Sequence, residues 1–392
     1  QFLLKELIFF DMKKTILVFL IAVAVITCKR SDIITMQTNE AVSAGKGGPP
    51  IKDQQCSVLP LNTSFSISNR LFIANRSNEI TGYLNISTNS DGFLIGAPDL
   101  TLTGTQTQLS FVSRNYLVGI VRDNAGRIYV AGPNTGTVTV YPPLTGVGNN
   151  FAPIGILNSN DGLSQPSGLA LDKERGIIYV ANTGNGTVTS YNVIAGSGST
   201  VTFQHRATLT GLSSPLGLAI NSNGTRLYIA NRGNNTIVVA AITDAIPFTV
   251  LTLPNQLQDL TGPIGIAVNP SGTKLYVANN GKINNWYSVT LYSINTDGIP
   301  SATASHIGGD MTGLCNPASV AVDPGGALLY VASRESSGGS ITVFKLDATT
   351  GSLLSQGTTT DFNLRPAAMM LHDAINRLGA PVGLIVVNET IL

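Results

Sequence analysis

The sequence predicts an all-β fold, a β-propeller of four-stranded antiparallel blades with seven blades as the expected count. Three observations predict it. A five-residue phrase occurs seven times, as Leu71–Asn75 (LFIAN), Ile128–Gly132 (IYVAG), Ile178–Asn182 (IYVAN), Leu227–Asn231 (LYIAN), Leu275–Asn279 (LYVAN), Leu329–Ser333 (LYVAS) and Leu384–Asn388 (LIVVN). Counted at the third residue, the copies lie 57, 50, 49, 48, 54 and 55 residues apart, the mark of a repeat architecture. Turn chemistry also separates each apolar run from the next. A lone four-stranded sheet leaves its faces uncovered, so such units must stack, and radial stacking gives a propeller. Six blades is the competing count, because the first and last phrases lack some of the strands expected around them.

The inner strand of each unit is read from Pro166–Asp172, Pro215–Asn221, Pro263–Asn269 and Pro317–Asp323, with Leu117–Asp123 lacking the proline and Pro366–His372 a weaker copy. Glycine at 119, 168, 217 and 265 suits close backbone approach near a crowded axis. The turn that follows, such as Asn269-Pro-Ser-Gly-Thr273, is hairpin chemistry. The repeated phrase is the expected second strand. The third is β-branched and alternating, as in Thr137–Tyr141, Thr187–Tyr191 and Ser340–Phe344, and a short apolar run such as Ala207–Leu212 is the fourth. Gln55–Leu61 is available to complete the last blade.

Ahead of the repeats, Met12-Lys13-Lys14 and the apolar run Thr15–Thr27 have the order of an export signal, too short to span a bilayer. Residues 1–27 are therefore read as upstream residues plus signal, 28–54 as a polar tether and 55–392 as the propeller. Cys28 directly follows the apolar run. This resembles a bacterial lipoprotein signal, which implies lipidation of Cys28 and an exported chain in the cell envelope, held to the membrane only by its N-terminal anchor. Thr27 stands where such signals carry Gly or Ala, so cleavage by the ordinary signal peptidase stays open. Without residues 1–27 acidic and basic groups balance, which argues against a nucleic-acid partner. Cys56 and Cys315 form a disulfide in an oxidising compartment or remain buried thiols.

The Leu/Ile-Tyr-Val-Ala-Asn phrase preceded by Pro-x-Gly-x-Ala resembles the YVTN family of propeller repeats, which shades into the lactonase-like seven-bladed propellers. The resemblance covers roughly residues 64–388 and rests on residues that build blades. It implies either a non-enzymatic binding module or a lactone hydrolase of the 6-phosphogluconolactonase type. Hydrolysis needs an activated water or a Lewis acid, yet the three histidines, His205, His306 and His372, occupy no repeat-equivalent position. Asp123, Asp172, Asn221, Asn269 and Asp323 recur where a turn begins, which Asp and Asn favour for local reasons. No metal site and no cofactor is expected.

In a meander, the loops after strands two and four open on one side of the ring. That side receives Arg76, Arg232 and Arg334 after the phrase, Tyr116 and Arg365 before the inner strand, and Trp286 and Tyr287 in the long insertion Asn280–Tyr287. Arginine forks and an indole suit carboxylates, phosphates and sugar faces. The expected partner is a protein, a glycan or a small anionic ligand, bound by a monomer. The competing reading pairs each arginine with neighbouring carbonyls or acidic groups.

Overall fold

The computed structural model describes residues 70–75, 78–83, 87–88, 94–95, 98–102, 117–143, 152–196, 200–244, 248–309, 312–335, 338–354, 368–371 and 381–387. The chain divides into two units, Gln1–Gln55 and Cys56–Leu392, and every described residue lies in the second. The export signal, the tether, Cys28, Cys56, Gln55–Leu61, Arg76, Tyr116 and Arg365 lie outside the described residues.

Strand formation follows from the alternation inside the phrase. In Leu275–Asn279, Leu275 and Val277 pack with Tyr228 and Ala230 of the preceding blade. Tyr276 and Ala278 point the other way, against Leu329 and Val331 of the following blade. The same division holds around the ring, so each buried cluster is one interface between neighbouring blades. A strand covered on both faces by apolar neighbours has no exposed register to slip into. Each side chain so covered contributes roughly 1.5–3 kcal/mol.

Among the described residues these interfaces join six four-stranded antiparallel sheets. From the axis outward, blade 2 is Ile120–Arg122, Ile128–Gly132, Thr137–Tyr141 and Gly155–Leu157. Blade 3 is Pro166–Asp172, Ile177–Asn182, Thr187–Ala195 and Val201–Leu209. Blade 4 is Pro215–Ile220, Arg226–Asn231, Thr236–Ala241 and Thr249–Val250. Blade 5 is Pro263–Val268, Lys274–Ile283, Trp286–Ile294 and Pro300–Gly308, and blade 6 is Pro317–Val322, Leu328–Glu335, Gly338–Lys345 and Ala368–Leu371. Blade 1 takes its inner strand, Pro381–Val387, from the far end of the chain and pairs it with Arg70–Asn75, followed by Glu79–Tyr83 and Leu100–Leu102. The fold is thus the expected propeller, and Leu227–Asn231 and Leu275–Asn279 sit in separate sheets.

Two expectations are corrected. The seventh phrase, Leu384–Asn388, does not supply a second strand; Leu384 pairs with Ile73 inside blade 1, and the described residues form six blades. Pro366–His372 is no inner strand either: Ala368–Leu371 is the outer strand of blade 6. The inner strands lie so close that a side chain on Gly168 would overlap the carbonyl oxygen of Leu216 in blade 4. Gly383 meets the Val118 carbonyl of blade 2 in the same way, which places Pro381–Val387 in the inner ring. Val118 N–H donates to Val382 O at 3.1 Å across the same junction.

Tyrosines bridge the interfaces. Tyr228 of blade 4 donates its hydroxyl to Gly298 O of blade 5, and Tyr276 of blade 5 donates to Gly351 O of blade 6. Burial pushes the Tyr228 phenol up to about 12. Tyr179 is also pushed up to about 12, by burial first and by Asp172 second. The unfolded chain titrates its tyrosines near pH 10, so between pH 10 and 12 it releases protons that the fold retains. Their contribution to stability is complete below pH 10 and is lost as the pH rises through 12. The urea midpoint is expected to fall across that window; a midpoint flat from pH 9 to 12 contradicts this account.

Candidate functional site

On the side where second strands end, the last residue of the phrase holds the segment leading into the inner strand of its own blade. Asn182 Oδ1 accepts from Ser164 N, Asn231 Oδ1 from Ser213 N, and Asn279 Oδ1 from Thr261 N. In blade 6, Ser333 Oγ takes this place, accepting from Cys315 N. The Asn amides donate to hydroxyls of the third strand, as Asn279 does to Ser288 and Thr290. These asparagines are buried and build the turn. The residue next in each lead-in is left-handed: Gln165 (φ 47), Ser214 (φ 48), Gly262 (φ 58) and Asn316 (φ 53). Such backbone turns the chain sharply into the ring and forms a rim around its mouth. Cys315 on this rim is disulfide-bonded.

The rim gathers polar groups from three blades. Asn235 Oδ1 of blade 4 accepts from Gly262 N of blade 5 at 2.7 Å. Asn280 N–H donates to Gly262 O, and Asn280 Nδ2 donates to Asn316 Oδ1 of blade 6. Arg334 Nη2 donates to that same Asn316 oxygen at 3.2 Å. Arg334 is only 5% exposed. It therefore serves the rim from within.

Arg232 is half-buried, and its Nε is shut off from solvent with no hydrogen-bond partner among the described residues. A side chain starting at Gly262 would lie 3.9 Å from that Nε, 3.4 Å from Gly281 N and 3.8 Å from Asn280 Cβ. Gly262 thus stands between Arg232 and the base of the blade 5 insertion. The insertion is a prolongation of the hairpin Lys274–Ile283 and Trp286–Ile294, closed by Asn284 (φ 50) and Asn285 (φ 72). Two left-handed residues in succession make the hairpin turn whose twist matches its strands. Trp286 and Tyr287 are half-buried on it, with Lys282 Nζ 5.2 Å from the Tyr287 ring centroid. The structure thus brings Arg232 next to the base of the hairpin that carries Trp286 and Tyr287.

Asn235, Asn280 and Asn316 do not stand out in the sequence, where asparagines in turns are too common to carry a signal. What marks them is position: Asn280 directly follows a phrase, Asn316 directly precedes an inner strand and Asn235 directly precedes a third strand. The recurrent Asp and Asn on the opposite side act locally, as expected. Asp123 accepts from Arg127 N and from the Tyr129 hydroxyl, and Asn269 Oδ1 from Thr273 N and Lys274 N. Asp323 accepts from Leu328 N. Among the described residues no three His, Cys, Asp or Glu side chains gather as a metal site would require. His306 Nε2 pairs with Asp259 Oδ2 at 3.0 Å in blade 5, and His205 Nε2 with the Thr208 hydroxyl.

Closed repeat rings of this geometry define a propeller scaffold. The family model described as "Lactonase, 7-bladed beta-propeller" matches residues 129–244 and 246–365, more than half of the chain. The chain belongs to that family. Among solved structures, a functionally unknown protein from Desulfotomaculum acetoxidans DSM 771 is 13% identical, with 82% of this chain and 99% of that one covered at a TM-score of 0.50. A candidate 6-phosphogluconolactonase from Bacteroides uniformis ATCC 8492 is 13% identical over 81% of this chain and 99% of its own, at 0.48. Hydrazine synthase of Kuenenia stuttgartiensis is 18% identical at 0.37, and the chain spans about half that protein's length, 49%. Likeness at these identities speaks to fold alone. No curated protein sequence matches the chain.

Proposed function

We propose that this lactonase-family propeller binds a small anionic, sugar-like ligand on the rim beside Gly262. The observation that carries the reading is the buried, unpartnered Nε of Arg232 beside a hairpin bearing Trp286. A guanidinium with a donor to spare suits a carboxylate, and an indole suits the apolar face of a sugar ring. The chain acts as an exported monomer in this reading. The second reading, favoured by the family match, is that the ligand is a lactone and is hydrolysed.

Gluconate and glucono-1,5-lactone are the probes. Arg232→Ala is expected to weaken gluconate binding about tenfold in calorimetry, the worth of one charge-assisted hydrogen bond of about 1.5 kcal/mol, with the melting temperature unchanged. Equal affinity of the variant and the parent defeats the rim site. Lactone hydrolysis above the buffer rate, lost in Arg232→Ala, selects the second reading over simple binding.

A further inference from the structure

The six inner strands surround a cavity of about 330 Å³, at the small end of ligand sites, which run from roughly 300 to 1,000 Å³. Its walls are mixed, with the backbone of the inner strands and Ser319 beside apolar side chains such as Leu169, Leu218, Ile266, Val320 and Leu384. Lys173 is the charged residue among its lining groups. It follows Asp172 in the turn between the first two strands of blade 3, so it stands at the opposite mouth from Arg232.

We propose that this channel is a second binding site, which takes an amphiphilic carboxylate, its apolar body within the inner strands and its carboxylate on the Lys173 ammonium. The arrangement suits such a molecule: apolar side chains occur along the axis, and Lys173 is a lining cation at one end. Lys173 keeps access to solvent, so pairing it does not require stripping the ammonium of water. Partial desolvation lowers its pKa, and Arg122 lowers it further while Asp123 opposes. Nothing on the rim takes part, so this site stands or falls apart from the one beside Gly262.

Octanoate and 1-octanol, titrated into the full chain, test the idea. Octanoate is expected to bind at least tenfold more tightly than octanol. Lys173→Met is expected to bring octanoate down to the affinity of octanol, leaving octanol itself unchanged. Arg232→Ala should leave octanoate binding as it was. Absence of octanoate binding, or equal octanoate affinity in Lys173→Met, overturns the proposal. Lys173→Met alters an exposed turn position, so it reads the charge without disturbing the ring.

Discussion

Replacing Gly168 with alanine is expected to destabilise the propeller by about 3 kcal/mol, the upper end of ordinary overpacking. The added methyl would overlap the carbonyl oxygen of Leu216. Both groups lie in the irregular step of an inner strand, between the pairs Pro166–Asn182 and Leu169–Val180 in blade 3 and between Pro215–Asn231 and Leu218–Ile229 in blade 4. The pairs on either side pin each step, so relief requires one blade to shift against a packed interface. Gly136 is the control: it is left-handed (φ 68), and a methyl added to it would meet nothing within 4 Å. Its replacement by alanine carries only the backbone cost of about 1 kcal/mol. Denaturant midpoints of the two variants decide the matter. Equal losses would show that the inner ring yields freely, contrary to its geometry.

Asn279→Ala is the second large effect. Asn279 is fully buried and accepts from Thr261 N while donating to Ser288 and Thr290. Truncation removes all three bonds and leaves a backbone N–H and two hydroxyls short of their partner. At about 1–3 kcal/mol for each buried group left unmet, with partial relief by water, a loss of about 3 kcal/mol is expected. The lead-in at Thr261 and Gly262 should also exchange its amide hydrogens faster, since its tether is gone. A stability loss below about 1 kcal/mol, with exchange unchanged, would remove the asparagine from this role.

The blade pattern is legible in the sequence because one alternating phrase answers to two neighbours at once. Leu275 and Val277 face one blade, and Tyr276 and Ala278 the other. Inner and second strands, both covered on two faces, read alike as apolar runs. That is why Leu384–Asn388 reads as a phrase, although Pro381-Val-Gly383 repeats the proline–glycine spacing of Pro166-Ser-Gly168. The glycine carries the correct assignment, because the axis has room for it and for little else. The rim is legible as a side of the ring but not as a set of contacts. Asn235, Asn280 and Asn316 come from different blades and meet only through the curvature of the ring. Arg232 and Arg334 occupy equivalent places in sequence, yet they meet different groups: Arg334 Nη2 reaches Asn316, and Arg232 lies beside Gly262.

The pairing of Pro381–Val387 with Arg70–Asn75 has a consequence for how the protein is made. Synthesis runs from the N-terminus, so blades 2 to 6 can form one after another as the ribosome delivers them. Blade 1 cannot. Its first-made strand keeps an open edge through roughly three hundred further residues of translation, at about 5–20 residues per second. An unpaired strand edge is a template for the wrong partner, so the nascent chain is most exposed to misassembly at the place where the finished ring is sealed.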